Sequence, residues 1–123
     1  MKGIICAGGE GTRMQELCRV TNKHLVPVGP WPMIYYPLKS LSDAGVTDII
    51  LITGASHAGS FIDILGDGRV KKRFSDEILF DLNITYKIQS QALGIAQAIY
   101  LAKDFIMPDE KFVVMLGDNI YQE

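Results

Sequence analysis

Two histidines and two cysteines are all the imidazole and thiol groups that 123 residues offer to a metal. Cys6 and Cys18 make no Cys-x-x-Cys pair and have no histidine cluster near them, which excludes a zinc site of standard spacing. Both are read as reduced thiols, Cys6 being packed in the core within an apolar strand. His57 reads as a residue near a helix start, whereas His24, beside Lys23, stays open as a site contact. Long hydrophobic runs are missing too. No stretch approaches the roughly 18 apolar residues of a membrane helix, and Met1-Lys2-Gly3-Ile4 begins no signal-peptide core. The expected location is the cytoplasm, with no membrane partner. Nor is there an excess of one charge. Twelve basic side chains face fourteen acidic ones, for a net charge of −2, which leaves no electrostatic footprint for nucleic acid or anionic membranes. Any anion must be caught locally. A hydrophobic content of 48% is enough for one core in one domain, so a folded rather than disordered chain is expected.

Glycine, by contrast, is concentrated where it matters. Ala7-Gly8-Gly9-Glu10-Gly11-Thr12-Arg13 follows directly on the apolar strand Gly3-Ile4-Ile5-Cys6, so backbone N–H groups there are expected to close on phosphate oxygens. Near the other end, the buried strand predicted for Phe112 to Leu116 runs into Gly117-Asp118-Asn119, which sets a carboxylate at a strand tip, a place suited to a divalent cation.

Between these two segments the pattern alternates. Ile34, Pro37, Leu38, Leu41 and Ala44 recur at helical spacing with Gly45 as a stop, and Pro37 predicts a kink or an early first turn. Asp48 to Thr53 is a continuous apolar run fit for a strand covered on both faces. A short helix from about His57 to Leu65 stops at Gly66. Arg69 to Asp81, with Lys71, Lys72 and Arg73 ahead of Asp76 and Glu77, reads as a solvated excursion with some helix, its charges largely neutralising one another. Leu82, Ile84, Tyr86 and Ile88 alternate with polar residues in a strand that ends at Gln89. Gly94 then opens a helix whose Ile95, Ile99, Ala102 and Ile106 share a face, broken at Met107-Pro108-Asp109. Such an order predicts an α/β fold, a mostly parallel sheet with helices on both faces and right-handed crossovers. In the strand order 3-2-1-4, the first and fourth strands are neighbours at a topological switch point. The glycine turn and Asp118 would then line one crevice.

Two common glycine-rich mechanisms match poorly. A P-loop needs a lysine after its last glycine, and a dinucleotide fingerprint needs Gly-x-Gly-x-x-Gly, whereas Gly9-x-Gly11 is followed by Thr12, Arg13 and Met14. Thr53-Gly54-Ala55-Ser56 also offers no acidic ribose contact at the end of the second strand, against an oxidoreductase reading. What remains is a turn with a permanent guanidinium, Arg13, at its exit and Lys23 a few residues on. Such cations suit a transferring phosphoryl group, although each alone reads equally well as a surface charge.

These residues resemble the sugar-1-phosphate nucleotidyltransferases, and most closely their glucose-1-phosphate thymidylyltransferase branch. The resemblance rests on five ordered blocks. They are Gly3-Ile4-Ile5 through Arg13, Asn22-Lys23-His24-Leu25-Val26-Pro27-Val28, Pro32-Met33-Ile34-Tyr35-Tyr36-Pro37-Leu38, Gly94-Ile95-Ala96-Gln97-Ala98, and Leu116-Gly117-Asp118-Asn119-Ile120. It implies a Rossmann-like fold, here ending after the fourth core strand. It also implies transfer of a thymidylyl group from dTTP to glucose-1-phosphate, giving dTDP-glucose and pyrophosphate, with magnesium as cofactor. On matching positions, backbone at Gly8, Gly9, Gly11 and Thr12 would hold the triphosphate, Arg13 would cover the leaving pyrophosphate and Lys23 would contact the phosphates. Gln89 and Gly94 would read the pyrimidine edge, Asp118 would bind the metal, and Asn119 would lie close to the sugar nucleotide. The resemblance makes residues 1–123 the nucleotide-binding part of a longer domain, without its sugar-binding half, so binding is expected to outlast catalysis in this chain alone. UTP or another sugar-1-phosphate, and a non-catalytic nucleotide-binding module, stand as alternatives. The apolar edge of the last strand is expected to favour self-association.

Overall fold

The computed structural model describes residues 1–7, 27–28, 31–55, 58–72, 75–90 and 94–117. Four parallel strands form the central sheet: β1 (Lys2–Ala7), β4 (Asp48–Thr53), β7 (Asn83–Ile88) and β8 (Phe112–Leu116). They lie in the spatial order β7-β4-β1-β8. Counted along the chain, these core strands are therefore third, second, first and fourth, the common order expected for such a fold. Two small antiparallel ribbons flank them, β2 (Pro27–Val28) with β3 (Trp31–Pro32), and β5 (Arg69–Lys71) with β6 (Ile78–Asp81).

Strand position explains strand composition. β1 and β4 each have a neighbour on both sides, and Ile4, Ile5, Ile49, Ile50, Leu51 and Ile52 are all buried. Such strands need continuous apolar runs because helices cover both of their faces. Toward the sheet margins the pattern loosens. In β7, Ile84 is buried while Asn83, Thr85 and Lys87 are exposed. β8 departs from the fully buried strand expected, since only Met115 is buried and Phe112 is 44% exposed. The reason is its place, with β1 as its one partner among the described residues.

Helices α1 (Tyr35–Asp43) and α2 (Ala58–Leu65) cover one face of the sheet. Leu38, Leu41, Phe61 and Leu65 pack there with Ile5, Ile49 and Leu51. Full burial of each such side chain contributes roughly 1.5–3 kcal/mol. α3 (Ile95–Leu101) covers the other face, where Ala98 and Ala102 meet Ile4, Ile50 and Ile52. A reversal in the direction of strand addition, from β7 back across to β8, requires this change of face if crossovers stay right-handed. Pro37 lies in the first turn of α1, where a missing N–H costs no helical bond.

Two local expectations are corrected. The excursion from Arg69 to Asp81 contains a β-ribbon rather than helix, and Val70, Leu79 and Phe80 are buried in the α1/α2 core. Phe80 meets Tyr35 edge-on with ring centroids 5.5 Å apart. Its charges do pair, Lys72 with Glu77 at 2.9 Å and Lys71 with Asp76 at 3.8 Å, and Lys72 holds the Glu77 carboxyl below its ordinary range. On α3, Ile95 is 47% exposed, and the buried stripe is Ala98 and Ala102, with Ile99 partly buried. Small side chains there let the helix approach the sheet.

The β2–β3 ribbon is tied to α1. The Tyr36 hydroxyl donates to the Val28 carbonyl, and the Trp31 and Tyr36 rings lie 5.2 Å apart at 49°. Tyr36→Phe keeps the ring contact and removes the hydrogen bond, so it is expected to lower stability by about 1 kcal/mol in urea unfolding. No loss would show that the ring contact alone fixes the ribbon.

Candidate functional site

In a sheet of this kind the chemistry is sought beyond the carboxyl ends of the strands, and here those ends form a continuous row. Ala7 pairs with Thr53 and Thr53 with Ile88, while Cys6 pairs with Leu116. The ladder runs on past the strands. The Gly117 N–H donates to the Cys6 carbonyl at 3.0 Å, and the Gln89 N–H to the Thr53 carbonyl at 2.8 Å. The chain leading into the glycine-rich segment and the chain leading into Asp118 therefore depart from hydrogen-bonded neighbours, with strand separation near 4.8 Å. Gln89 stands on the same edge of the sheet, beyond β4.

Gly8, Gly9, Gly11, Thr12, Arg13, Lys23, Asp118 and Asn119 lie outside the described residues, as do Cys18, His24 and His57. Gln89 and Gly94 are described, and they touch. Gln89 is buried, and its Nε2 donates to the Gly94 carbonyl at 3.2 Å and to Gln97 Oε1 at 2.5 Å. Gly94 caps α3 at φ +95° and ψ 177°, a conformation essentially confined to glycine. There its carbonyl accepts both from the Gln89 side chain and from the Ala98 N–H, at 3.2 Å in each case. A side chain at position 94 would strain this turn and carry the carbonyl away from Gln89.

Gln97, which the sequence reading left without a role, joins this hydrogen-bonded pair. Its signal was present but faint: an amide one position before the buried Ala98, in a helix of otherwise apolar residues. The neighbouring Cys6 is only partly buried, and desolvation pushes its thiol above the ordinary range, which makes it a poor nucleophile. Among the described residues, no group of three or more His, Cys, Asp or Glu side chains could hold a metal ion. Among them also, no helix is long and apolar enough to cross a membrane.

Residues 2–123 match the profile of the family described as Nucleotidyl transferase. A glucose-1-phosphate thymidylyltransferase of Neisseria meningitidis serogroup A is 46% identical over 121 residues, which cover 98% of this chain and 38% of that protein. The chain thus spans well under half the length of such relatives. A crystal structure of a putative glucose-1-phosphate thymidylyltransferase from Bacillus anthracis, in complex with a sucrose, superposes with a TM-score of 0.85 at 42% identity, over 100% of this chain and 46% of that one. A UDP-glucose pyrophosphorylase complexed with UDP-glucose shares the fold, with a TM-score of 0.76 at 24% identity over 95% of this chain and 45% of that one.

Proposed function

Because this chain belongs to the nucleotidyl transferase family, we propose that it is the nucleotide-binding part of an enzyme that transfers a thymidylyl group from dTTP to glucose-1-phosphate, releasing pyrophosphate. The observation that carries this reading is the adjacency of β1 and β8, which start the glycine-rich and Gly117-Asp118 segments side by side. In the reaction, a sugar-phosphate oxygen attacks the α-phosphorus as the bond to pyrophosphate breaks. Nothing covalent is asked of the protein, whose work is alignment and charge neutralisation.

In this reading, backbone N–H groups at Gly8, Gly9, Gly11 and Thr12 hold the triphosphate, Arg13 meets the charge developing on pyrophosphate, and Lys23 contacts the phosphates. Gln89 and Gly94 face the base, and Asn119 the sugar nucleotide. Members of this family use a divalent metal, and magnesium is the ion assigned here. A carboxylate such as Asp118 suits a hard cation, and triphosphate oxygens and water suit its remaining positions. When bound, the ion neutralises phosphoryl charge. The reading places the protein in the cytoplasm, with self-association through the β8 edge as a further expectation.

The test is isotope exchange in the intact protein. With magnesium, labelled pyrophosphate is expected to enter dTTP when dTDP-glucose is supplied. Arg13→Ala is expected to slow that exchange about a hundredfold or more, as for other preorganised donors to developing charge. Saturable dTTP binding without exchange would make the protein a nucleotide-binding module instead, and a preference for UTP would move the base assignment.

A further inference from the structure

We infer that Gln97 is a positioning residue that fixes the Gln89 amide as a hydrogen-bond acceptor toward the base, so that the site takes pyrimidines carrying an imide N3–H. The inference rests on the proposed placement of the nucleotide base at Gln89 and Gly94. It follows from a chain of obligatory donors and acceptors. A backbone carbonyl can only accept, so the Gln89 atom 3.2 Å from the Gly94 oxygen must be the amide nitrogen. The same nitrogen lies 2.5 Å from Gln97, whose facing atom must then be its carbonyl oxygen. Both Gln89 amide hydrogens are thereby engaged. The group left over is Oε1, to which no donor among the described residues is directed.

Gln89 is 6% exposed, and burial makes the arrangement consequential. Turning this amide over would set its oxygen against two other oxygens and leave its N–H groups to seek partners, a costly exchange in a buried site. The amide therefore offers one hydrogen-bonding sense. A ribose and triphosphate held along the strand ends deliver the base edge in a fixed register. An acceptor there takes the N3–H of uracil or thymine and meets the N3 lone pair of cytosine unfavourably. Gln97 contributes without touching the base, from the first turn of α3 (Ile95–Leu101), whose inner face is anchored by buried Ala98.

The experiment compares dUTP with dCTP, which differ only at the N3–C4 edge, in binding and turnover by the intact protein carrying Gln97→Leu or Gln97→Glu. In Gln97→Leu, one of the two acceptors is gone, and the preference for dUTP over dCTP is expected to fall about tenfold, mainly through weaker dUTP and stronger dCTP binding. Gln97→Glu keeps an acceptor oxygen and is expected to preserve the preference to within about twofold. An unchanged ratio in Gln97→Leu, or an equal loss for both triphosphates, overturns the inference while leaving the parent reading intact. A wild-type protein that binds neither triphosphate, or both alike, overturns the parent reading and this inference with it.

Discussion

Asp118→Ala in the intact protein is expected to reduce magnesium-dependent pyrophosphate exchange on the order of a thousandfold while the fold survives. The expectation comes from the place where its chain segment departs. Gly117 is the last described residue after β8, and its N–H is bonded to Cys6, one residue before the start of the glycine-rich segment. The chain that leads into Asp118 thus leaves the sheet from the strand next to the one that leads into the glycine-rich segment. In the proposed reading, losing the Asp118 carboxylate removes the negative charge that a divalent cation shares with phosphate. The competing role, a turn or cap residue after an edge strand, predicts a different result. Exchange would persist and stability would fall by about 1 kcal/mol. Exchange rates and urea midpoints measured on the same variant separate the two.

Gly68→Ala is expected to destabilise the protein by about 3–5 kcal/mol, the sum of backbone strain and overpacking. Gly68 has φ +108°, and a Cβ there would lie 2.3 Å from the Leu82 carbonyl oxygen. The obstacle is backbone and is itself held. The Leu82 N–H donates to the Gly68 carbonyl at 3.0 Å, the Gly68 N–H donates to Leu65 at 2.8 Å, and the Tyr86 hydroxyl bonds Gly66 at 2.7 Å. Neither side of the contact can yield without breaking the junction between α2 and β7. Against a total stability of about 5–15 kcal/mol for a domain of ordinary size, this is a large fraction. Urea unfolding provides the measurement, with a midpoint fall of roughly 2 M expected for an m-value of about 2 kcal/mol/M. A change below about 1 kcal/mol would mean that the turn relaxes into a conformation open to alanine.

The sheet was legible because its signals are local and strong. Asp48 to Thr53 could only be a strand covered on both faces, and β4 has those bounds. The helix stops at Gly45 and Gly66 needed no tertiary information. The order of strands is the common one expected for such an alternation, in which the chain turns back past its first strand. The β5–β6 ribbon was hidden for the opposite reason. Its strands have three and four residues, and pairing Val70 with Phe80 depends on a contact ten positions apart inside a run of charges. Likewise, Ile95 dominated the apolar pattern of α3, yet packing selected Ala98, since distance to the sheet rather than hydrophobicity decided the inner face. At the site, periodicity said nothing of Gln89 beyond the end of a strand, and its role came from family resemblance. Gln97 was invisible as a partner because the sense of an amide is decided by what faces it in space.

The joining of β1 to β8 has a consequence for synthesis. Lys2 is in register with Phe112, so the slot on β1 that β8 fills stays open until nearly the whole of this segment has left the ribosome. At about 5–20 residues per second, that wait is roughly 5–20 s. During it a nascent chain can pair β1 with β4 and β4 with β7, yet it carries an unfilled edge along Ile4 and Cys6. The pairing of β1 with β8 is therefore the last part of the sheet to be built, and until then the chain carries an open apolar strand edge.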